Sequence, residues 1–172
     1  MTDEQAMYAV SRGDLDKAAI LYERYKKSLL NFFLYRQSDR ENARDLTQQV
    51  FLRMLRYQHT YREGASFRTW VLEIARNVFF DYLKQNPTYS DLADVPDMGE
   101  SDDETEEQHQ YLHNALAQLP DQYREVLLLS RFQNMSYEEI GQTLGLSVAN
   151  VKVRVFRAMQ KLRDLYFNVS SQ

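Results

Sequence analysis

The sequence predicts an all-α protein built as two small helical domains joined by a flexible acidic linker. Three observations lead there. Apolar residues recur at helical spacing in several windows, and no window alternates as a strand bounded by turn residues. Glycine is scarce, five in 172 residues. Charge also divides the chain. Residues 1–85 carry 14 Lys/Arg and 11 Asp/Glu, net +3, and residues 109–172 carry seven and five, net +2. Between them, residues 86–108 carry nine acids and no Lys or Arg, net −9. The overall charge of −4 conceals two mildly basic blocks on either side of an acidic tether.

The expected organisation is therefore a domain at 1–85, a linker at 86–108 and a domain at 109–172. The tether, "NPTYSDLADVPDMGESDDETEEQ", holds two of the three prolines. It reads as a self-repelling flexible segment or as a solvated acidic loop. In the first block, Leu15, Ala18, Ala19, Tyr22, Tyr25, Leu29, Phe32 and Phe33 recur at helical spacing. A second helix is expected from about Asp39 to Tyr57 and a third from about Ser66 to Lys84, with the polar "QHTYREGA" between them. In the second block a helix is expected from about Glu106 to Leu119. Pro120 then suits the start of the next, "PDQYREVLLLSRF".

The composition narrows the chemistry. There is no cysteine, so neither a disulfide framework nor a thiolate metal site is available. No apolar run approaches the roughly 20 residues that span a bilayer, so no membrane insertion is expected. The start, "MTDEQAMYAV", lacks the order of a secretory signal, and a cytoplasmic location follows. His109 and His113 stand at i, i+4 with Glu106 three residues before, a spacing that can align ligands on one helix face. No third or fourth ligand and no HExxH glutamate accompany them, and there is no phosphate loop or nucleophile elbow. Neither a metal, a cofactor nor an enzyme activity is expected.

The strongest local signal is "MSYEEIGQTLGLSVANVKVRVFRAMQKLR". Ser136 and Glu139 form a capping box, Gly145 can supply a left-handed residue past a helix end, and Ser147 can cap the next helix. That is a helix-turn-helix. At about 100° per residue, Val148, Val151, Val155, Met159 and Leu162 share one face, expected to be buried. Asn150, Arg154, Arg157 and Lys161 make a polar stripe, with Lys152 and Arg163 beside it. Val148 to Arg163 holds five basic residues and no acid. A merely solvated face usually mixes signs, so the stripe points to a recognition helix in a major groove.

In "ENARDLTQQVFLRMLRY", Ala43, Leu46, Val50, Met54 and Tyr57 form the core face. Asp45, Gln48, Gln49, Leu52 and Arg56 share the opposite side. Leu52 there is either an ordinary exposed leucine or the anchor of a protein–protein contact. In "SFRTWVLEIARNVFFDYLK", Phe67, Val71, Ile74, Val78 and Tyr82 lie together, extended by Leu72, Ala75, Phe79 and Leu83. Trp70 sits at the edge of that arc and Phe80 on the polar side.

Together these residues resemble a known family. "DLTQQVFLRMLR" and "SFRTWVLEIARNVFFDYLK" resemble region 2 of bacterial sigma-70-family sigma factors. "LPDQYREVLLLSRFQNMSYEEIGQTLGLSVANVKVRVFRAMQKLR" resembles region 4. Two regions and a short linker are the pattern of the extracytoplasmic-function (ECF, group 4) type. The resemblance implies binding to core RNA polymerase, through the β′ coiled coil and the β flap, and transcription initiation from specific promoters. The β′ contact falls on Asp45, Gln48, Gln49, Leu52 and Arg56. Recognition of the −35 element falls on Ser147, Asn150, Lys152, Arg154, Arg157 and Lys161. For the −10 strand the polar groups are Ser66, Arg68, Arg76, Asn77 and Lys84, with Trp70 either stacking on the last base pair or bracing the loop. A flipped base of that strand needs planar partners, for which Tyr57, His59, Tyr61 and Arg62 are available. An anti-sigma factor is a further possible partner. The competing reading is a helix-turn-helix regulator that acts without polymerase.

Overall fold

The computed structural model describes residues 1–36, 39–86 and 112–170, with side chains as far as Tyr166. No strand occurs among the described residues. The chain divides into two compact units, residues 1–33 with 41–87, and residues 34–40 with 88–172. Most of the acidic tether, with Glu106 and His109, lies outside the described residues.

The first unit opens with a helix that the spacing argument did not anticipate, α1 (Asp3–Ser11). Thr2 and Gln5 form a capping box at its start, with Oγ1 accepting from the Gln5 amide at 3.0 Å and Oε1 from the Thr2 amide at 2.9 Å. Ala6, Met7 and Val10 are fully buried. Gly13, at φ +106°, turns the chain, and a single 3-10 turn over Leu15–Lys17 leads into α2 (Ala18–Tyr35). Asp3 holds α2 through the Arg24 guanidinium at 2.8 Å and the Tyr25 hydroxyl at 2.6 Å. The buried face of α2 is therefore Leu21, Tyr25, Leu29, Phe32 and Phe33. Tyr25, Leu29, Phe32 and Phe33 are as the spacing predicts, and the departure is confined to the start of the run. Leu15 is 54% exposed, and Ala19 and Tyr22 also face outward, because the helix begins only at Ala18 and α1 fixes its rotation.

α3 (Arg40–Arg56) buries Ala43, Leu46, Val50 and Met54 as the period requires. Tyr57, expected on that face, lies beyond the helix end and is exposed. α4 (Phe67–Gln85) starts on Ser66, whose Oγ accepts from the Thr69 amide at 3.3 Å. Glu4 of α1 caps the same end, its Oε1 accepting from the Phe67 amide at 3.2 Å. A carboxylate is well placed there, at the positive end of the helix dipole. Phe67, Val71, Leu72, Ala75, Val78 and Phe79 are buried, and Ile74, Tyr82 and Leu83 half-buried. Arg53 pairs with Asp81 at 2.8 Å and ties α3 to α4.

In the second unit the described part of α5 is residues 112–118. α6 (Asp121–Leu127) has Pro120 as its N-cap residue and runs into one π-helical turn, Leu128–Phe132, that periodicity did not anticipate. Arg124 of α6 closes the end of α5. Its guanidinium donates to the carbonyls of Leu116 (3.0 Å), Ala117 (3.2 Å) and Leu119 (3.0 Å). These are groups that a helix end leaves without partners.

α7 (Tyr137–Leu144) and α8 (Val148–Ser170) form the helix-turn-helix. The Ser136–Glu139 capping box is present, both bonds at 3.1 Å. Gly145 adopts φ +70°, and the Leu146 amide donates to the Gly141 carbonyl at 2.9 Å. A Cβ on Gly141 would stand 2.6 Å from the Leu146 carbonyl oxygen, so glycine is required for this approach. Val151, Val155 and Ala158 of α8 are buried, while Val148, Met159 and Leu162, expected with them, are half-buried.

His113 is buried within α5, and neither ring nitrogen has a hydrogen-bond partner. Burial, with a smaller contribution from the Arg124 charge, pushes its pKa down to about 4.

Two outcomes follow from these contacts. Gly141→Ala is expected to destabilise the second unit by about 1–3 kcal/mol, read as a lower urea midpoint on the full chain. Between about pH 6.5 and 4 the unfolded chain takes up a proton that folded His113 refuses, so stability falls as pH falls through that window. Thermal melts at pH 7 and pH 5 should show a smaller drop in His113→Leu than in the wild type.

Candidate nucleic-acid interface

In the second unit the candidate surface is the outward side of α8. Ser147 starts it, its Oγ accepting from the Asn150 amide at 3.1 Å, so this hydroxyl serves as a cap and stays at the surface. Asn150, Lys152, Arg157 and Lys161 are exposed and Arg154 is half-buried. Packing of α6 on α8 adds two residues that spacing did not single out. Gln122 and Tyr123 join Asn150, Val153, Arg154 and Arg157 around a shallow cleft of about 170 Å³. Nothing local in "PDQYREVL" marks them, because their place beside α8 depends on interhelix packing. The surface can offer charge to phosphates and donors to base edges.

In the first unit the α3–α4 loop and the polar side of α4 form a second candidate surface. Tyr57, His59 and Arg62 are exposed, and the Arg56 guanidinium lies 5.9 Å from the Tyr57 ring. Tyr61 differs from the other three. It is 5% exposed, its hydroxyl donates to the Ala65 carbonyl, and its ring meets Trp70 edge-on at 5.3 Å. Desolvation, with Glu4 and Asp3 nearby, pushes its pKa up to about 12. Its ring braces the loop and presents no free face, a correction to its place among the stacking candidates. His59 and Gln58 line an open cleft of about 420 Å³ with Ser11, Arg12, Gly13 and Leu15.

Along α4, Ser66 is engaged in capping, and Asn77 and Lys84 are exposed. Arg68 and Arg76 are half-buried, the latter with its guanidinium 4.8 Å over the Phe80 ring. Trp70 is half-buried against Tyr61 and Phe67.

The third surface is the outward side of α3. Asp45, Gln48, Gln49, Leu52 and Arg56 are all exposed, and Leu52 is 66% exposed. Beside Gln48, a groove of about 360 Å³ is lined by Tyr22, Lys26, Lys27, Leu30 and Arg44. Tyr22 recurs at the apolar spacing of α2, but its ring covers Phe51 at 4.9 Å from the outside. Among the described residues no helix is long and apolar enough to cross a membrane. Nor does any group of three or more His, Cys, Asp or Glu among them suit a metal ion.

Comparison with known proteins places the chain. Residues 21–87 match the family model for sigma-70 region 2, and residues 109–162 that for sigma-70 region 4. The chain is 30% identical over 152 residues to the ECF RNA polymerase sigma factor SigM of Bacillus subtilis, covering 85% of this chain and 93% of that protein. It is 31% identical over 157 residues to the RNA polymerase sigma factor YlaC of the same organism, covering 86% and 91%. In fold it is similar to CnrH, solved with the cytosolic domain of CnrY, with a TM-score of 0.75 at 23% identity over 95% of this chain and 96% of that one. It is also similar to the sigma factor RpoE of Bartonella quintana, solved with the anti-sigma factor NepR, with a TM-score of 0.66 at 24% identity over 84% and 95%. The chain belongs to the ECF sigma factors of the sigma-70 family. A helix-turn-helix regulator working without polymerase is not favoured, since relatives and family models cover both units.

Proposed function

We propose that this sigma factor docks on core RNA polymerase through the outward side of α3 and reads promoter DNA with the other two surfaces. Leu52 is the apolar anchor, ringed by Asp45, Gln48, Gln49 and Arg56. The observation that carries this reading is its exposure at the centre of a polar ring. One exposed leucine is ordinary by itself; here it stands on the helix face where the family resemblance implies the polymerase contact, which makes it the natural apolar anchor.

The −10 strand lies along α4 and its loop. Lys84, Arg76, Arg68 and Asn77 meet the backbone, Trp70 stands at the edge of the paired DNA, and Tyr57, His59 and Arg62 face the unpaired bases. Ser66 and Tyr61 hold this surface in shape. The −35 element lies on α8, where Asn150 and Arg154 approach base edges and Lys152, Arg157 and Lys161 approach phosphates, with Ser147 at the helix start. The domains are 1–85 and 109–172, and residues 86–108 connect them. The protein acts in the cytoplasm, holds no cofactor and catalyses no reaction itself. An anti-sigma factor is a further partner of the same surfaces.

The decisive experiment is reconstitution. Core polymerase and this protein together should initiate from specific promoters, and neither alone should. Tight, specific duplex binding by the protein alone, with no association with polymerase, would defeat the reading. Leu52→Ala is expected to weaken binding to core polymerase by roughly ten-fold or more while leaving the melting curve unchanged. Arg154→Ala should cost about 1–3 kcal/mol on particular upstream bases, measured as a change of preference across promoter variants. An equal loss on every sequence would make it a phosphate contact.

A further inference from the structure

We infer that Val153 is a specificity residue that reads the 5-methyl group of a thymine in the upstream promoter duplex. This rests on α8 being the helix that reads that duplex. At about 100° per residue, Val151 and Val155 centre the buried face of α8, and Val153 points directly away from it. The outermost position of the helix is thus a β-branched aliphatic that is 47% exposed. Polar residues flank it on one side, where it lines one cleft with Asn150, Arg154 and Arg157.

A single exposed aliphatic residue on a protein surface is ordinary. This one stands in the first two turns of a recognition helix, the part that approaches base edges in a major groove. Valine has neither donor nor acceptor. A base that presents only polar groups to it loses its water and gains no partner. Among the four bases, thymine alone presents an apolar group on the major-groove edge. Val153 therefore favours thymine and disfavours cytosine, whose amino group it leaves unpaired. Phe156, 63% exposed and one turn further on, broadens the apolar strip on the side away from Arg154. The neighbouring Asn150 and Arg154 keep the hydrogen-bonding contacts, so polar and apolar readout sit side by side in one cleft.

The test uses holoenzyme assembled from core polymerase and the full chain. Promoters from which it initiates are first selected from a random pool. Each thymine of the upstream element is then replaced singly by uracil, which lacks only the methyl group. Wild-type holoenzyme should lose roughly four-fold in open-complex formation at one such thymine, the worth of about one buried methyl. Val153→Ser, a change at an exposed position, should respond equally to thymine and uracil there. If every uracil substitution is silent in the wild type, or if the penalty survives undiminished in Val153→Ser, the methyl contact is overturned. Arg154→Ala separates the two levels. If it alters upstream preference while uracil is silent, the methyl contact alone fails; if neither change matters, α8 is not the upstream reader.

Discussion

Helix ends leave amides and carbonyls without partners, and in this chain the way those groups are satisfied governs which side chains reach the surface. The tightest case is the turn between α7 and α8. Ser136 and Glu139 close the start of α7, Gly145 turns the chain, and Ser147 closes the start of α8. Between them the Leu146 carbonyl comes so near Gly141 that no Cβ fits. That approach sets the path of α8 as it leaves α7. The rotation of α8 then follows from burying Val151, Val155 and Ala158, which turns Asn150, Arg154 and Arg157 outward.

The same rule works between helices that are distant in sequence. Glu4 of α1 caps α4 across 63 residues, and Asp3 of α1 holds Arg24 and Tyr25 of α2. Two neighbouring carboxylates thus fix both helices against α1. The aromatic loop beside them is held by the buried Tyr61, wedged against Phe67 and Trp70. Arg124 does the equivalent for the second unit. Its half-buried guanidinium is tolerated because three carbonyls and Asp121 receive it. Glu4 and Arg124 thus act on helix ends within their own units, while Asp3 and Asp81 pair with side chains of neighbouring helices.

Electrostatics explains why the net charge misleads about partners. A chain with net charge −4 is not an obvious DNA binder. Yet the helix from Val148 to Arg163 carries five basic residues and no acid, and the excess of acid is concentrated in residues 86–108. The field that DNA meets is local, because at physiological salt charges beyond about 8 Å are largely screened.

Much was legible in the sequence because it is written in local signals. α3 and α4 begin and end within a residue or two of the spacing estimate, and the helix-turn-helix appears cap for cap. A cap, a left-handed glycine and a 3.6-residue period each need only a few neighbouring residues. The exposed stripe on α3 and the polar stripe on α8 were legible for the same reason. What tertiary structure alone decided concerns rotation and contact between helices. Ala19 and Tyr22 match the apolar period of α2 but face outward, and Leu15 lies in the 3-10 turn before that helix, whose start is held by contacts with α1. Tyr61 looks like its exposed loop neighbours Tyr57 and His59, but only packing against Phe67 and Trp70 makes it a brace. Gln122 and Tyr123 carry no signal at all until α6 meets α8. Local hydrogen bonding and periodicity determine where most helices lie along the chain and which face α3 and α8 show; the start of α2, the α3–α4 loop and the cleft beside α8 depend on residues far away in sequence.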